Sequence, residues 1–391
     1  MACLLQRLQA MLGSRGVKLG GLFVLVVVGG CWSETLEDGV FSPDQWAMLQ
    51  DSLEPLGPLA PCPKALDRDD HCDSLAAFGR TLFFDKKLSE THCPTRTNPL
   101  GLVRPSTCTQ RPGIVSCASC HDPKNWFIDT REPNAVSQGE TAPTKRNSIG
   151  LVDAALKEVQ APDQPVFTWI GSYSTAGDVL DLAINKAMSS TVADLAQTIR
   201  ESHGPDFEAT WGTVATTTSD DEIFHDVALS FEAYIRRLTS SASPFERYRA
   251  GDESAISDSA KRGFAVFVGP GGCLECHSGP LFSDLQPRST GVPQLGVADA
   301  GRNNTGTFVT PSLRNVAMTP PYMHDGVFAS LGEVIEFYRR GGDQSGFPKD
   351  PRLVPLDITD ADAHDLEAFL GTLTGGPVSI ARACGEPSLC P

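Results

Sequence analysis

The chain is poor in basic residues and has no apolar stretch long enough to cross a membrane. Its 391 residues contain 32 lysines and arginines against 48 aspartates and glutamates, and the formal net charge is −16. This acidic balance argues against a nucleic acid as partner. The apolar run at residues 19–28 is too short for a stable membrane-spanning helix, and no segment shows the convincing alternation of a β-strand. We therefore predict a mainly α-helical protein.

The beginning of the chain is typical of a bacterial export signal. Basic residues up to Lys18 precede the apolar run, which ends in the letters VGGC with Cys31 last. This ending resembles the lipobox of bacterial lipoproteins. We predict a signal peptide at residues 1–30 and a lipid on Cys31, which would be the protein's only attachment to the membrane. Ordinary cleavage near Gly30, with Cys31 left free, is the alternative, and both lead to the bacterial periplasm.

Six of the twelve cysteines fall in close pairs along the chain. Disulfide bonds suit an exported protein because its compartment is oxidising. Six cysteines allow fifteen pairings, so local pairing is a preference only. The preferred disulfides are Cys62–Cys72, Cys93–Cys108 and Cys384–Cys390.

Four further cysteines form two Cys-x-x-Cys-His motifs, Cys117–His121 and Cys273–His277. This motif is the attachment signature of a c-type haem. Two thiols three residues apart lie on one side of a helical turn, so both can add to the vinyl groups of one porphyrin. The adjacent histidine can then bind the iron. A zinc knuckle would need a second Cys/His pair nearby, and a thioredoxin-type motif would need a βαβ setting; neither is visible.

The predicted organisation is a mainly α chain with two cytochrome c-like haem domains. Residues 31–62, rich in proline, glycine and acids, read as a tether. The N-terminal haem domain takes residues 63–250 and the C-terminal one residues 251–391, with a hinge at 240–251. Apolar periodicity predicts helices near 42–52, at 73–88, 179–188, 192–201, 221–238, 257–268, 331–339 and 360–373.

Several stretches around the motifs resemble the bacterial di-haem cytochrome c peroxidase/MauG family. They are GRTLFFD at 79–85, SCASCHDP at 116–123, TPSLRNVAMTPPYMHDG at 310–326 and FYRRGG at 337–342. The resemblance runs from about residue 73 to 376. It implies that His121 is the proximal ligand of the haem that reacts with hydrogen peroxide, and that the haem on His277 takes a sixth ligand from further along the chain.

The position that matches this sixth ligand is Tyr338. Cytochrome-fed peroxidases of the family use a methionine there, whereas the MauG-like, protein-modifying members use a tyrosine. A phenolate is a hard anion and favours the higher oxidation states of iron. The alternative is a core tyrosine, with Met318 or Met323 as the ligand.

Other matches concern the region between the haems. The resemblance implies that Trp169 relays electrons and that a calcium ion binds Asn147, Thr319 and Pro321 through one amide and two carbonyl oxygens. Arg146 and His324 are neighbours of these motifs and candidates for binding haem propionates.

The sequence also departs from the family pattern. Members usually follow the tryptophan with Asp-Gly-Arg, and here residues 170–172 are IGS. Ala187 precedes Met188 where many members have a glutamate, and the distal histidine of some peroxidases is replaced by Glu140. Cleavage of the peroxide bond benefits from a positioned acid or base, so Glu140 is a catalytic candidate, against an ordinary loop glutamate.

The resemblance implies an enzyme that uses hydrogen peroxide to form high-valent iron and then oxidises an aromatic residue, such as tryptophan, of a partner protein. The first alternative is a cytochrome c peroxidase that reduces peroxide with electrons from a small electron-donor cytochrome. The second is an electron-transfer di-haem cytochrome without catalysis, which the missing glutamate and histidine favour.

Overall fold

The computed structural model describes residues 58–66, 71–90, 112–131, 137, 139, 143–294 and 299–385, and the backbone of strands at 96–97 and 103–104. This part is mainly helical, as predicted. Its α-helices are α1 Cys72–Phe84, α2 Cys117–Cys120, α3 Leu156–Gln160, α4 Leu180–Leu182, α5 Val192–Thr198, α6 Gly204–Trp211, α7 Asp220–Ile235, α8 Pro244–Arg249, α9 Asp258–Val268, α10 Leu331–Arg339, α11 Asp360–Gly371 and α12 Ile380–Ala383.

Short strands, 3-10 turns and π-helical turns connect these helices. The antiparallel pairs are β1 Arg96–Thr97 with β2 Val103–Arg104, and β3 Pro287–Arg288 with β4 Phe308–Val309. In register, Arg96 lies opposite Arg104 and Pro287 opposite Val309. The 3-10 turns are Lys86–Ser89, Pro123–Asn125, Cys273–Glu275 and Val316–Met318, and π-helical turns occupy Ala183–Ala187 and Ile199–His203.

In the N-terminal half, α1 packs directly on α7. The two backbones approach so closely that a Cβ atom at Gly79 would lie 2.0 Å from the carbonyl oxygen of Ser230. Glycine is required here because any side chain would meet backbone. Phe83 and Tyr234 fill the same contact edge to face, at 5.2 Å between ring centroids. This helix pair forms one side of the hydrophobic core of the N-terminal half, which we call the first core.

In the C-terminal half, α9 packs on α11 in the same way. A Cβ atom at Gly263 would lie 1.8 Å from the carbonyl oxygen of Asp365. Phe264 and Phe267 then meet Phe369, at 5.2 Å and 5.1 Å between ring centroids. Each half is therefore built on a pair of helices that cross at a glycine. Gly263 lies shortly before the Cys-x-x-Cys-His motif of its half, whereas Gly79 lies well before the motif of its half.

The segment predicted as a hinge, at residues 240–251, instead contributes to the hydrophobic core of the C-terminal half, which we call the second core. Residues 244–249 form α8, in which Phe245 and Tyr248 are almost fully buried. Ser243 caps the helix by accepting from the Glu246 amide, and the Glu246 side chain accepts from the Ser243 amide. This Ser-x-x-Glu capping box, followed by proline at the first helical position, is a start signal that the apolar periodicity did not detect.

The end of the described chain returns to the N-terminal half. Ala383 and Cys384 belong to the first core, and the Tyr234 hydroxyl donates to the Ala383 carbonyl at 2.5 Å. Arg80 in α1 donates to the Ala381 carbonyl at 3.1 Å. Among the residues described here, no helix has the length and apolar character needed to cross a bilayer.

One of the three predicted disulfides can be compared with the structure. Cys62 and Cys72 are bonded, with 5.2 Å between their Cα atoms, so this pairing is confirmed. Cys384 is also disulfide-bonded, to a cysteine outside the described residues. Cys93, Cys108 and Cys390 lie outside them too, and the other two pairings stay predictions.

Candidate functional site

The first motif lies on a short capped helical turn. The Ser116 amide donates to the Ser119 hydroxyl at 3.0 Å, and the His121 amide donates to the Cys117 carbonyl at 2.9 Å. The imidazole Nδ1 of His121 lies 3.0 Å from the Phe127 carbonyl oxygen. Because a carbonyl only accepts, Nδ1 carries the proton and Nε2 keeps the lone pair that binds a metal.

The second motif repeats this arrangement. The His277 amide donates to the Cys273 carbonyl at 2.8 Å, and the His277 Nδ1 lies 2.7 Å from the Phe282 carbonyl oxygen. Burial lowers the pKa of both His121 and His277. Both imidazoles are therefore neutral near pH 7 and fixed in the tautomer that leaves Nε2 for iron.

The cysteines of both motifs have the wrong electrostatics for thiol redox chemistry. Burial raises the pKa of Cys117 and of Cys273 to about 12. Reactive thiols in redox motifs have lowered pKa values, because the thiolate is the nucleophile. The CXXC spacing therefore fits covalent attachment better than disulfide exchange.

An arginine–aspartate pair stands beside the second cysteine of each motif. Arg131 forms two hydrogen bonds with the Asp129 carboxylate, at 2.9 Å and 2.6 Å, and lies 3.3 Å from the Cys120 sulfur. Arg288 pairs with Asp284 in the same manner, near Cys276. Sequence reasoning missed these pairs, although a Phe-x-Asp pattern ending at Asp129 and at Asp284 follows both motifs. It is a wider internal repeat than the sequence analysis recognised.

A cavity of about 490 Å³ lies against the second motif. Predicted site residues from five separate parts of the chain meet on its wall. They include Cys273, Cys276, His277, Tyr338, Trp169 and Asn147. The donor set fits a haem: two thiols, a histidine with a directed lone pair, and an apolar wall.

Tyr338 comes to this cavity from the last turn of α10. Burial raises its pKa well above the usual range, the charges of Cys276 and Cys273 act in the same direction, and a hydrogen bond with the Thr290 side chain opposes them. The phenol is thus in electrostatic contact with both attachment thiols. Of the alternative ligands, Met318 is 41% exposed, whereas Met323 also lines the cavity.

Trp169 is held on the cavity wall by one hydrogen bond to the backbone and one ring contact. Its indole Nε1 donates to the Asn147 carbonyl at 2.8 Å, and its ring meets His324 edge to face at 6.5 Å. His324 stacks on Phe308 at 3.8 Å. The imidazole Nε2 of His324 is buried and has no hydrogen-bond partner within the described chain. This nitrogen is therefore available to form a hydrogen bond with a molecule bound in the cavity.

The predicted calcium ligands lie together. The Asn147 side-chain amide donates to the Pro321 carbonyl at 2.7 Å, and Thr319 lines the same cavity. All three would offer neutral oxygens, which calcium accepts. Within the described part of the chain there is no cluster of three or more His, Cys, Asp or Glu side chains that could hold a metal ion.

The remaining predicted residues are less well connected. Two nitrogens of the Arg146 guanidinium donate hydrogen bonds to the Asp299 carboxylate, at 2.6 Å and 2.9 Å. Arg146 therefore already has an anionic partner without a haem propionate. Met188 is buried in the first core, and Ala187 ends the π-helical turn before it. Glu140 lies outside the described residues.

Comparisons with known proteins agree with this donor set. The sequence profile of the di-haem cytochrome c peroxidase family matches residues 73–254. The chain is 30% identical to the methylamine utilization protein MauG of Methylorubrum extorquens over 385 residues, which cover 92% of this chain and 95% of that protein. It is also 30% identical to the cytochrome-c peroxidase IdrP1 of Pseudomonas sp. (strain SCT), over 83% of this chain and 86% of that protein.

Two solved structures resemble the fold. A MauG-like protein associated with microbial copper homeostasis aligns with a TM-score of 0.62 at 24% identity, over 85% of this chain and 97% of that one. The diheme peroxidase BthA from Burkholderia thailandensis aligns with a TM-score of 0.62 at 22% identity, over 84% and 93%. At these identities the likeness concerns the fold alone.

Proposed function

Because the chain belongs to the di-haem cytochrome c peroxidase family, we propose that it takes oxidising equivalents from hydrogen peroxide and uses them to oxidise an aromatic residue, such as tryptophan, of a partner protein. Relatives carry the names of cytochrome c peroxidases and of MauG, so a haem-dependent oxidoreductase activity is common to both groups. The protein-modifying branch is our choice between them.

Each Cys-x-x-Cys-His motif would hold one haem covalently, in two cytochrome c-like domains of residues 63–250 and 251–391. The haem supplies an iron that reacts with peroxide and holds oxidising equivalents. The chain supplies the thiols for attachment and a neutral imidazole on each side, fixed by the carbonyls of Phe127 and Phe282. His121 would bind the iron of the peroxide-reactive haem, with Glu140 as the candidate acid or base beside it.

Tyr338 is the observation that carries the proposal. It lines the same cavity as His277 and interacts electrostatically with Cys273 and Cys276. A phenolate ligand stabilises the higher oxidation states of iron, because it is a hard anion. Burial keeps the pKa of Tyr338 well above its usual range, and the Thr290 hydrogen bond opposes this only in part, so the phenolate would form on binding to the iron. A site with this ligand stores oxidising equivalents instead of accepting electrons from a cytochrome.

Trp169 would carry the oxidising equivalents between the two haems. Its ring is fixed at both ends, by the bond from Nε1 to the Asn147 carbonyl and by the edge contact with His324. A fixed ring needs little reorganisation when it loses an electron, which suits a relay. We propose a calcium ion beside it, held by Asn147, Thr319 and Pro321, with waters completing the ligand set.

The proposed place of action is the bacterial periplasm, with the protein anchored through a lipid on Cys31. Residues 1–57 lie outside the described part of the chain, so this proposal depends on the signal-like sequence alone. Mass spectrometry of the mature N-terminus tests it: an acylated Cys31 is the expected product.

A peroxidase fed by a small cytochrome is the second candidate. It is favoured by the names of relatives such as IdrP1 and by Met323, which also lines the cavity. A methionine ligand raises the potential of a haem. The wild-type spectrum distinguishes the two candidates, since only methionine ligation gives a methionine–iron charge-transfer band.

The deciding experiment is a rapid-mixing titration of the purified di-haem protein with hydrogen peroxide, followed by optical and Mössbauer spectroscopy. We expect a long-lived two-electron-oxidised protein in the wild type. Tyr338→Met should keep both haems attached and shorten that lifetime at least tenfold. An equally long lifetime in Tyr338→Met would contradict the proposed role of Tyr338, and a Met323→Leu variant controls for the neighbouring methionine.

A further inference from the structure

Lys157 is a buried cation on the wall of the cavity. It lies in α3, is only 7% exposed, and lines the cavity together with Cys273 and His277. Its ammonium group stands over the Phe167 ring, 5.6 Å from the centroid. Burial lowers the pKa of Lys157 to about 8, and no carboxylate of the described residues counteracts it.

Two largely buried arginines elsewhere in the described chain have carboxylate partners. Arg314 pairs with Asp153 and Glu246, and Arg236 pairs with Glu158 and Glu232. Taking an ammonium ion out of water is costly when nothing compensates it. A single cation–π contact offsets only part of that cost. The occupant of the cavity is therefore expected to supply the missing negative charge.

We propose that Lys157 binds a propionate carboxylate of the haem attached at Cys273 and Cys276, and thereby raises the reduction potential of that haem. The inference rests on the proposed haem attachment at the second motif. A haem brings two carboxylates into a cavity that is lined both by the attachment thiols and by Lys157. Arg146 cannot fill this role as simply, because Asp299 already holds it.

The sign of the effect follows from charge. The lysine neutralises the propionate, and an uncompensated propionate near the iron would favour the ferric over the ferrous state. Lys157 thus opposes the effect of Tyr338, whose phenolate lowers the potential of the same iron. The two residues would set the potential of the second haem between them.

The test uses the purified di-haem protein and the variants Lys157→Met and Lys157→Arg. Lys261→Met is the matched control, because Lys261 is also buried (6% exposed) over an aromatic ring, that of Tyr248 at 5.3 Å, and does not line the cavity. Each variant is examined by intact mass for its haems, by a redox titration that resolves the two haems, and by resonance Raman spectroscopy of the propionate bending modes.

We expect Lys157→Met to lower the potential of the His277 haem and to shift its propionate mode, with a smaller change at the His121 haem. Lys157→Arg should keep the potential and shift the propionate mode, since a guanidinium bonds the carboxylate with another geometry. Lys261→Met should change neither. If Lys157→Met does not fold, the Raman shift in Lys157→Arg decides by itself.

An unchanged potential and an unchanged propionate mode in Lys157→Met, with both haems attached, would overturn the assignment and leave the proposed function standing. A changed potential with unchanged propionate modes in both variants would also overturn it, because the charge would then act without touching a carboxylate. If the wild type lacked the second haem, the proposed function itself would fail.

Discussion

The two halves differ in where the helix crossing lies relative to the haem motif. In the N-terminal half α1 and α7 cross at Gly79, and a long stretch of chain separates this crossing from Cys117. In the C-terminal half α9 and α11 cross at Gly263, and Cys273 follows soon after the end of α9. On the histidine side the two halves are alike: one ring nitrogen is bonded to a phenylalanine carbonyl, and an arginine–aspartate pair stands by the second cysteine. On the side of the cavity they differ: the cavity beside the second motif is lined by Tyr338 from the C-terminal half and by Lys157 from the N-terminal half. The attachment chemistry is thus duplicated, and the ligand chemistry is not.

The largest test of this comparison removes one attachment site at a time. Cys117→Ala with Cys120→Ala should lose the first haem only, and Cys273→Ala with Cys276→Ala the second only, because each motif forms its own thioether bonds. Denatured mass spectrometry should find one haem in each variant and two in the wild type. Loss of both haems from either variant would mean that the halves do not mature independently.

The glycine crossings should be equally intolerant of a side chain. Gly79→Ala and Gly263→Ala each place a Cβ atom within 2.0 Å of a backbone carbonyl oxygen, so each should lower the free energy of unfolding by about 3 kcal/mol. Gly371→Ala, in α11, is the control, since nothing lies within 4 Å of its Cβ position. It should be neutral or stabilising in chemical unfolding. A tolerated alanine at either crossing would break the symmetry.

The two arginine–aspartate pairs should differ in how much they contribute to the free energy of unfolding. Burial works to raise the pKa values of Asp129 and Asp284, but the hydrogen bonds and charges of Arg131 and Arg288, together with backbone hydrogen bonds, outweigh it and the values are lowered. A lowered carboxyl pKa gives stability that is present above about pH 4 and lost as the pH falls through the folded-state value. Asp129→Asn should cost about 2 kcal/mol at neutral pH.

The Asp284 carboxylate is 23% exposed against 4% for Asp129, so Asp284→Asn should cost less, about 1 kcal/mol. In both cases the difference from wild type should shrink below pH 4. Urea unfolding at pH 7, 4 and 3 measures it. A cost that does not change with pH would mean that the loss comes from packing and not from charge.

The smallest effect on stability concerns two tyrosines, the buried Tyr234 in the N-terminal half and the half-buried Tyr338 in the C-terminal half. Tyr234→Phe should lose the bond to the Ala383 carbonyl, about 1 kcal/mol, and leave the haem spectra unchanged. Tyr338→Phe should change stability no more than that but alter the absorption and EPR spectra of the second haem. Spectral changes in Tyr234→Phe, or none in Tyr338→Phe, would reverse the assignment of roles.

The helices and motifs were predictable because their signals are local. Apolar periodicity gave α10 at its observed residues and α7, α9 and α11 to within a few, and Cys-x-x-Cys-His needs only five letters. α8 was missed because six residues carry little periodicity, although the Ser243-x-x-Glu246 capping box was present in the sequence.

The close approaches could not be read from the sequence. Gly79 meets Ser230, and Lys157 meets a cavity wall built from distant segments. Whether a buried lysine has a partner depends on every element packed around it, and the charge of the residue alone does not say. The Phe-x-Asp repeat was visible in the letters, yet its meaning required the hydrogen bonds of both histidines.

The return of α12 to the first half has a consequence for the order in which the protein matures. Arg80 and Ala381 are 301 positions apart, so the first core lacks part of its cover until almost all of the described chain is available to fold. On the export route proposed above, the chain folds after crossing the membrane, and both haem motifs cross before residues 380–385. The first half can therefore receive its haem while it is still open, and it closes when Ala383 and Cys384 pack into it.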